Sequence, residues 1–150
     1  MEKIQKSIEV EVPVQTVYNQ WTQFEEFPRF MEGVKQVRQL DDKRLHWVAE
    51  IGGKEKEWDA RITEQIPDRK IAWQSEAGEH TSGTVTFQPA GGTRTRVNLE
   101  LSYDPKGFVE NTGDALGFVS GRVKNDLERF KKFIEHRGQE TGAWRGTIKS

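Results

Sequence analysis

Tryptophan marks the same face of three consecutive candidate strands. Trp47, Trp58 and Trp73 each stand in a segment where apolar and polar residues alternate. Because successive side chains of a β-strand point to opposite faces, this alternation predicts three strands that share one apolar face. The residues on that face are Leu45, Trp47, Ala49, Ile51, Trp58, Ala60, Ile62, Ile71 and Trp73. The opposite face reads as a solvated surface and carries His46, Val48, Glu50, Glu55, Glu57, Asp59, Arg61, Thr63 and Gln65. Such a sheet needs another element to cover its aromatic side.

Two short helices are predicted between a first strand and this sheet. Alternation over residues 4–12 predicts a strand that stops at Pro13, and apolar spacings of three and four predict a helix over residues 13–24. Pro28 disfavours a helical residue before it, so we expect a second short helix or a tight loop that ends at Gly33.

The middle of the chain reads as strands joined by hairpins. Turn-forming pairs at Asp41-Asp42, Gly52-Gly53, Pro67-Asp68 and Gly91-Gly92 separate the alternating segments, which predicts antiparallel hairpins and not crossovers. Residues 34–40 have no cleanly apolar phase and suit an edge strand or a bulge. The apolar phase continues through Gly83, Val85, Phe87, Thr95, Val97, Leu99, Leu101 and Tyr103.

A helical period begins after Gly107, holds for about thirty residues and stops at Gly138. Its apolar stripe consists of Leu116, Ser120, Val123, Leu127, Phe130 and Ile134. Residues 139–150 are polar and glycine-rich apart from Trp144 and Ile148, and they predict a tail that is mobile or laid over the surface.

This order of elements defines the fold class. Helices stand at the ends of an antiparallel sheet, which is an α+β arrangement. The last helix is the one predicted element long enough to cover the apolar face. The sequence therefore predicts a curled sheet of six to seven strands around a long C-terminal helix. We expect one domain over residues 1–138 and a polar tail over residues 139–150.

Charge and composition exclude several classes of function. The 150 residues include 23 basic and 24 acidic side chains, a net charge of −1, so no long-range field gathers nucleic acid or an anionic membrane. There is no cysteine, which excludes disulfides, thiolate metal sites and a cysteine nucleophile. No segment has the apolar character of a signal peptide or a membrane span, so we expect a cytoplasmic protein without stable membrane insertion.

One block of motifs points to a known superfamily. Val10-Glu11-Val12-Pro13 opens a helix with Val14, Val17, Tyr18 and Trp21, and Phe27-Pro28-Arg29-Phe30-Met31 precedes Gly33-Val34-Lys35-Gln36-Val37. With these motifs, residues 3–137 resemble the START-like or Bet v 1-like (SRPBCC) superfamily, in its polyketide cyclase/dehydrase or coenzyme-Q-binding branch. The resemblance implies a helix-grip fold and a cavity for a lipid, quinone or polyketide-like molecule between the sheet and the last helix. The superfamily also holds hormone receptors, ribosome-associating proteins and chaperone regulators, so the fold alone does not fix the function.

The apolar face either lines a ligand cavity or fills the space itself. Large rings that face one helix are also how an ordinary core packs. With the resemblance, we expect a cavity in the few-hundred Å³ range typical of small-molecule sites, and no cofactor. The predicted ligand-binding residues are Phe27, Phe30, Met31, Trp47, Ala49, Trp58, Ala60, Ile62, Trp73, Val85, Phe87, Leu99, Leu101, Tyr103, Gly113, Leu116, Gly117 and Ser120.

Groups suited to catalysis do not converge in the sequence pattern. His46 is predicted on the outer face, His80 near a turn and His136 at the end of the last helix, so neither histidine chemistry nor a metal site is expected. Ser75 and Ser120 point inward, but no histidine is predicted beside either.

Glycine recurs every four residues at the start of the last helix, at Gly113, Gly117 and Gly121. Each glycine in a helix costs about 1 kcal/mol relative to alanine, so a need for the missing side chains is indicated. Close approach to the sheet and room for a ligand both explain the row. Phe118 points away from the apolar stripe and marks either a cavity mouth or a partner contact.

Three functions remain open at this point. The first is non-covalent binding of a small hydrophobic molecule, as a carrier or sequestering protein. The second is a polyketide cyclase, aromatase or dehydratase, for which Tyr103 and Glu64 are the weak candidates for moving protons. The third is a protein-interaction module, with Phe118 and Trp144 on its contact surface, and a solid core would favour it.

Overall fold

Seven antiparallel strands form one curled sheet in the computed structural model, which describes residues 2–51, 54–77, 81–103 and 115–148. The strands are β1 (Glu2–Val10), β2 (Val34–Gln39), β3 (Arg44–Ile51), β4 (Lys54–Ile66), β5 (Lys70–Ala77), β6 (Thr81–Pro89) and β7 (Thr95–Tyr103). Their spatial order is β1-β7-β6-β5-β4-β3-β2, so β2 to β7 form a meander and β1 pairs with β7 at one edge. The predicted α+β class and strand number are confirmed.

The helices are α1 (Val14–Trp21), a 3₁₀ helix (Phe24–Arg29) and α2 (Ala115–Arg137). α1 begins directly after Pro13, whose fixed φ suits a helix start, and Pro28 lies inside the 3₁₀ helix. Residues 108–114 of the predicted last helix lie outside the described residues. No helix in the described ranges is long and apolar enough to cross a membrane.

α2 covers the apolar face of the sheet, as the helix-grip prediction requires. Val123, Leu127, Phe130 and Ile134 of its predicted stripe are all buried in the core. The Phe130 ring packs against the Trp21 ring, with 5.3 Å between centroids. The first helix and the last therefore meet over the sheet.

β2 is an edge strand with an irregular register. Val34 pairs with Ala49, but Gln36 pairs with Val48, so one residue of β2 is bulged between the two pairs. The bulge keeps both Val34 and Val37 in contact with the core, although they are three positions apart and would otherwise face opposite sides of the strand. The prediction of an edge strand or a bulge for this segment is confirmed in both respects.

A second bulge, in β4, corrects the sequence prediction. Ile62 pairs with Trp73 while Glu64 pairs with Ala72, so Thr63 is the extra residue. An extra residue reverses which face the following side chains take. Gln65, predicted on the outer face, is consequently 1% exposed and paired with Ile71. Glu64, predicted on the inner phase, lies on the outer face.

Residues 139–148, here called the C-terminal strap, lie along α1 and β4. Ile148 pairs with Gln65 through two backbone hydrogen bonds of 2.8 and 2.9 Å. The Arg145 guanidinium donates to Asn19 Oδ1 (2.6 Å) and to Asp68 Oδ2 (2.8 Å). Of the two alternatives for the tail, the described part takes the one in which it is laid over the surface.

Candidate functional site

A cavity of about 160 Å³ lies between the apolar face of the sheet and α2. It is smaller than the few-hundred Å³ that the sequence led us to expect. Its walls are almost entirely apolar. The described residues that line it are Trp21, Phe27, Met31, Gly33, Val34, Trp47, Ala49, Glu50, Trp58, Trp73, Thr81, Leu99, Leu101, Arg122, Val123, Asp126, Leu127 and Phe130.

Eight of the predicted ligand-binding residues line this cavity. They are Phe27, Met31, Trp47, Ala49, Trp58, Trp73, Leu99 and Leu101. The three tryptophans that share a face in the sequence pattern thus reach one space, because their strands are neighbours or next-but-one in the sheet.

Other predicted ligand-binding residues lie elsewhere. Phe30, Ala60, Ile62, Val85 and Phe87 are buried in the core but do not line the cavity. The Phe87 ring meets Tyr18 at 5.4 Å and Trp21 at 6.4 Å, so α1 fills the space over this part of the sheet. Ser120 is half-buried on α2 and is not among the described lining residues.

The remaining predicted positions belong to the start of the predicted last helix and to the end of β7. Gly113 lies outside the described residues, and only the backbone is described at Tyr103, Leu116, Gly117 and Phe118. Gly121 is described: a Cβ atom built there meets nothing within 4 Å, so close packing does not require glycine at this position.

The sequence pattern did not indicate much of the wall that α1 and α2 contribute. The helical spacing predicted an apolar stripe that covers the sheet, and this stripe includes Val123, Leu127 and Phe130. A helix that covers a cavity also lines it, so these residues belong to the site as well. Trp21 stands on the apolar face of α1 and carries the same signal. No sequence pattern indicated that Arg122, four residues before Asp126, lines the cavity, because it belongs to no apolar stripe.

Aromatic rings set the shape of the wall. Trp47 and Trp58 pair across β3 and β4, and their rings are parallel within 2° at a centroid separation of 6.1 Å. The Trp73 ring lies over Gly83 of the neighbouring strand, where any Cβ atom would overlap it. Glycine at position 83 therefore lets Trp73 lie close to the sheet beside the cavity.

Three charged lining residues, Glu50, Arg122 and Asp126, lie around Gly33 on one side of the cavity, which we call the charged side. A Cβ atom at Gly33 would lie 2.7 Å from Arg122 Nη1 and 3.2 Å from the Glu50 carbonyl oxygen, so the guanidinium is held against this backbone. Asp126 Oδ1 accepts a hydrogen bond from the Glu32 backbone N–H at 3.2 Å.

Asp126 is the unusual titratable group of this site. Burial raises the pKa of its carboxyl group from 3.8 to about 6, against the opposing effects of the Glu32 N–H and the nearby arginines Arg129 and Arg122. Arg129 Nη1 donates to Asp126 Oδ1 at 3.2 Å, and Arg129 Nη2 donates to Glu32 Oε2 at 2.6 Å. A carboxyl group with a pKa near neutrality can exchange a proton under ordinary conditions.

The candidates for chemistry named from the sequence do not meet in the cavity. Glu64 forms an ion pair with Lys70 (Oε1 to Nζ 2.7 Å) on the outer face, which corrects its assignment as an inward group. His46, also on the outer face, lies between Asp59 (2.7 Å) and Glu57 (3.0 Å). The Ser75 hydroxyl accepts from the Thr81 N–H at 3.1 Å.

Other chemical groupings are limited as well. His136 is exposed near the end of α2, and His80 lies outside the described ranges. Across the described residues, no three histidine, aspartate or glutamate side chains are grouped so as to hold a metal ion.

Comparison with known proteins places this geometry in a family. Residues 10–132 match the family model described as polyketide cyclase / dehydrase and lipid transport. An uncharacterised 17.2 kDa protein from the melC2-rnhH intergenic region of Streptomyces lincolnensis is 54% identical over 149 residues, and the match covers 99% of both chains.

Solved structures share the fold at low sequence identity. A START superfamily protein from Mycobacterium smegmatis superimposes with a TM-score of 0.70 at 17% identity, over 90% of this chain and 95% of that one. The Zhui aromatase/cyclase from Streptomyces sp. R1128 superimposes with a TM-score of 0.75 at 16% identity, over 95% of this chain and 99% of the other.

Proposed function

Because the chain belongs to the polyketide cyclase/dehydrase and lipid-transport family, we propose that it binds a small hydrophobic molecule non-covalently between the sheet and α2, as a carrier or sequestering protein. The observation that carries this proposal is the cavity walled by Trp47, Trp58 and Trp73. Apolar surface removed from water on binding supplies the driving force.

The volume of the cavity limits the size of the ligand. Small-molecule sites usually measure about 300–1,000 Å³, whereas an apolar cavity of about 150 Å³ in another protein binds benzene. At about 160 Å³, the present cavity fits a single ring or a short chain. A larger lipid or polyketide would need the walls to move.

A second candidate function is cyclase or dehydratase chemistry, and Asp126 favours it. A general base works best when its pKa lies near the working pH, and the pKa of Asp126 is raised to about 6 at the edge of the cavity. The Zhui aromatase/cyclase has the same fold. We rank this candidate second because Glu50, the other carboxylate among the described lining residues, is exposed and ion-paired with Lys35 at 3.0 Å, and no histidine lines the described wall to activate the Thr81 hydroxyl.

The interaction-module alternative depended on a solid core, and a cavity does not favour it. The expected cytoplasmic location and the expected lack of a nucleic-acid partner stay predictions.

Ligand binding can be tested by filling the cavity. Ala49 lines it and is 3% exposed, whereas its neighbour Val48 is on the opposite face of β3. Ala49→Leu adds an isopropyl group to the cavity, and Val48→Leu is the matched control on the outer surface. Thermal unfolding is measured with benzene, naphthalene and short-chain fatty acids.

A bound ligand at a hundred times its Kd stabilises the native state by about 2.7 kcal/mol. We expect a concentration-dependent rise in Tm for the native protein and for Val48→Leu, and a much smaller rise for Ala49→Leu. If no probe raises Tm, or if Ala49→Leu responds like the control, the cavity is not the binding site.

A further inference from the structure

We infer that Gly83 determines the size limit of the ligand, because it lets the indole of Trp73 lie close to the sheet and leave the cavity open. Gly83 acts through Trp73 and does not have to contact the ligand, so it is a positioning residue. This inference rests on the proposed function, because it concerns the size of the molecule that the same cavity accepts.

Gly83 lies beneath the Trp73 ring on the apolar face of the sheet. It pairs with Trp73 of β5 on one side and with Leu101 of β7 on the other. Both partners line the cavity, and so does Thr81, two residues earlier on the same face of β6. Gly83 itself is not among the described lining residues, although it stands in their midst. The indole of Trp73 therefore lies between Gly83 and the cavity.

The contact between the ring and Gly83 leaves no room for a side chain. A Cβ atom built on Gly83 would lie 2.3 Å from Cζ2, 2.7 Å from Cε2 and 2.8 Å from Cη2 of Trp73. Carbon atoms in favourable contact are about 3.5–4.0 Å apart, so even one methyl group would move the ring by about 1 Å.

The backbone gives no other reason for glycine at position 83. Glycine inside a strand weakens it, and usually marks a bulge, a positive φ or the close approach of another group. The register of β6 runs past Gly83 without a shift, against both β5 and β7. Among the described glycines, positive φ angles occur at Gly91, Gly92 and Gly138. The close approach of the Trp73 ring is the reason that remains.

A ring displaced from Gly83 moves towards the cavity. Ile62, which pairs with Trp73 from β4, and Ile71, two residues before Trp73 on the same face, are each 1% exposed. These core side chains block movement along the sheet, whereas the cavity lies on the side of the ring away from Gly83. A side chain at position 83 would thus push the indole into the space that a ligand occupies.

The cavity has little volume to lose. It measures about 160 Å³, and an apolar cavity of about 150 Å³ in another protein holds benzene. A single ring with no substituent therefore nearly fills it. An advance of the indole excludes substituted rings first, so position 83 controls the upper limit of ligand size.

The test measures this limit with a series of probes that differ only in length. Benzene, toluene, ethylbenzene and propylbenzene carry no polar group and grow by one carbon atom at each step. Their dissociation constants are measured by calorimetry for the native protein, Gly83→Ala, Trp73→Phe and the double variant. Trp73→Phe removes the Cζ2 and Cη2 atoms that lie against Gly83. Ser82→Ala is the matched control, because it places alanine beside Gly83 in β6 but on the opposite face.

We expect Gly83→Ala to weaken the binding of ethylbenzene and propylbenzene about tenfold relative to benzene, as the usual penalty for overpacking predicts. We expect Trp73→Phe to shift the preference towards the longer probes. In the double variant the methyl group no longer meets the indole, so its dissociation constants are expected to stay within about twofold of those of Trp73→Phe. Ser82→Ala is expected to bind the series as the native protein does.

The outcomes separate this inference from the proposed function. If the native protein binds the probes but Gly83→Ala weakens all four equally, or if the double variant loses as much as Gly83→Ala alone, the inference is overturned while the binding function stands. If Gly83→Ala does not fold, Trp73→Phe decides, and an unchanged preference for probe length overturns the inference. If no probe binds to the native protein, the proposed function fails and the inference fails with it.

Discussion

Replacing Asp126 by asparagine is expected to stabilise the protein at neutral pH. The side chain of Asp126 is only 15% exposed, and this burial raises the pKa of its carboxyl group from 3.8 to about 6. An acid with a raised pKa in the native state binds its proton more tightly there than in the unfolded chain. Its contribution to stability is fully present below about pH 4 and is lost as the pH rises through about 6.

The size of this effect follows from the shift. At about 1.4 kcal/mol per pKa unit, a shift of this size corresponds to about 3 kcal/mol of stability lost between pH 4 and pH 7. Partial solvent exposure and the loss of the charge-assisted hydrogen bond from Arg129 reduce the gain for the variant. We therefore expect the free energy of unfolding of Asp126→Asn to be about 1–2 kcal/mol higher than that of the native protein at pH 7.5, which corresponds to a Tm increase of about 2–8 °C. At pH 4 we expect no difference.

Urea unfolding of both proteins at intervals from pH 4 to pH 7.5 measures this difference. Glu128→Gln is the control, because it removes one negative charge from an exposed position on the same helix. If Asp126→Asn differs from the native protein by the same amount at every pH, or is the less stable of the two at pH 7.5, the argument that burial penalises the ionised carboxylate is wrong.

Three further substitutions test other parts of the structure. His46→Gln is expected to lower the free energy of unfolding by less than about 1 kcal/mol at pH 5.5 and not at all at pH 8.5. The hydrogen bonds to Asp59 and Glu57 raise the pKa of His46 above 6.5, and the stability they give is lost as the pH rises through that raised value. An equal loss at both pH values in chemical denaturation would contradict this. Phe130→Ala removes a fully buried ring and is expected to lower the free energy of unfolding by about 3–5 kcal/mol, measured in urea, whereas a loss below 1 kcal/mol would mean that α2 does not pack as described. Arg145→Ala is expected to lower the free energy of unfolding by about 1–3 kcal/mol because two side-chain hydrogen bonds are lost. Thr147→Ala, at an exposed position of the strap, is the control and is expected to leave stability nearly unchanged. Equal melting temperatures for the two variants would show that Arg145 does not hold the strap.

The sequence predicted the fold well because periodicity records which face of an element is buried. The alternation around Trp47, Trp58 and Trp73 predicted both the sheet and the face that α2 covers. It could not reveal the extra residue in β4, because Thr63 interrupts the pattern without a glycine or proline to mark it. The error for Glu64 and Gln65 follows from that one residue.

The candidate site was less predictable because a cavity is space left over after packing. Phe87 and Leu99 belong to the same apolar face in the sequence pattern. Rings from α1 fill the space over Phe87, whereas Leu99 borders the cavity. The difference depends on where Tyr18 and Trp21 come to lie in three dimensions, and the spacing of residues along the strands does not contain that information.

The C-terminal strap has a consequence for the lifetime of the native state. Its side-chain contacts with α1 join residues 121 to 126 positions apart in the chain. Closing so long a loop becomes favourable only after the sheet and α1 have formed the surface that receives the strap. Interactions that form after the folding transition state change the rate of unfolding and have little effect on the rate of folding. We therefore expect substitutions in the strap to change how long the folded protein persists, and not how fast it forms.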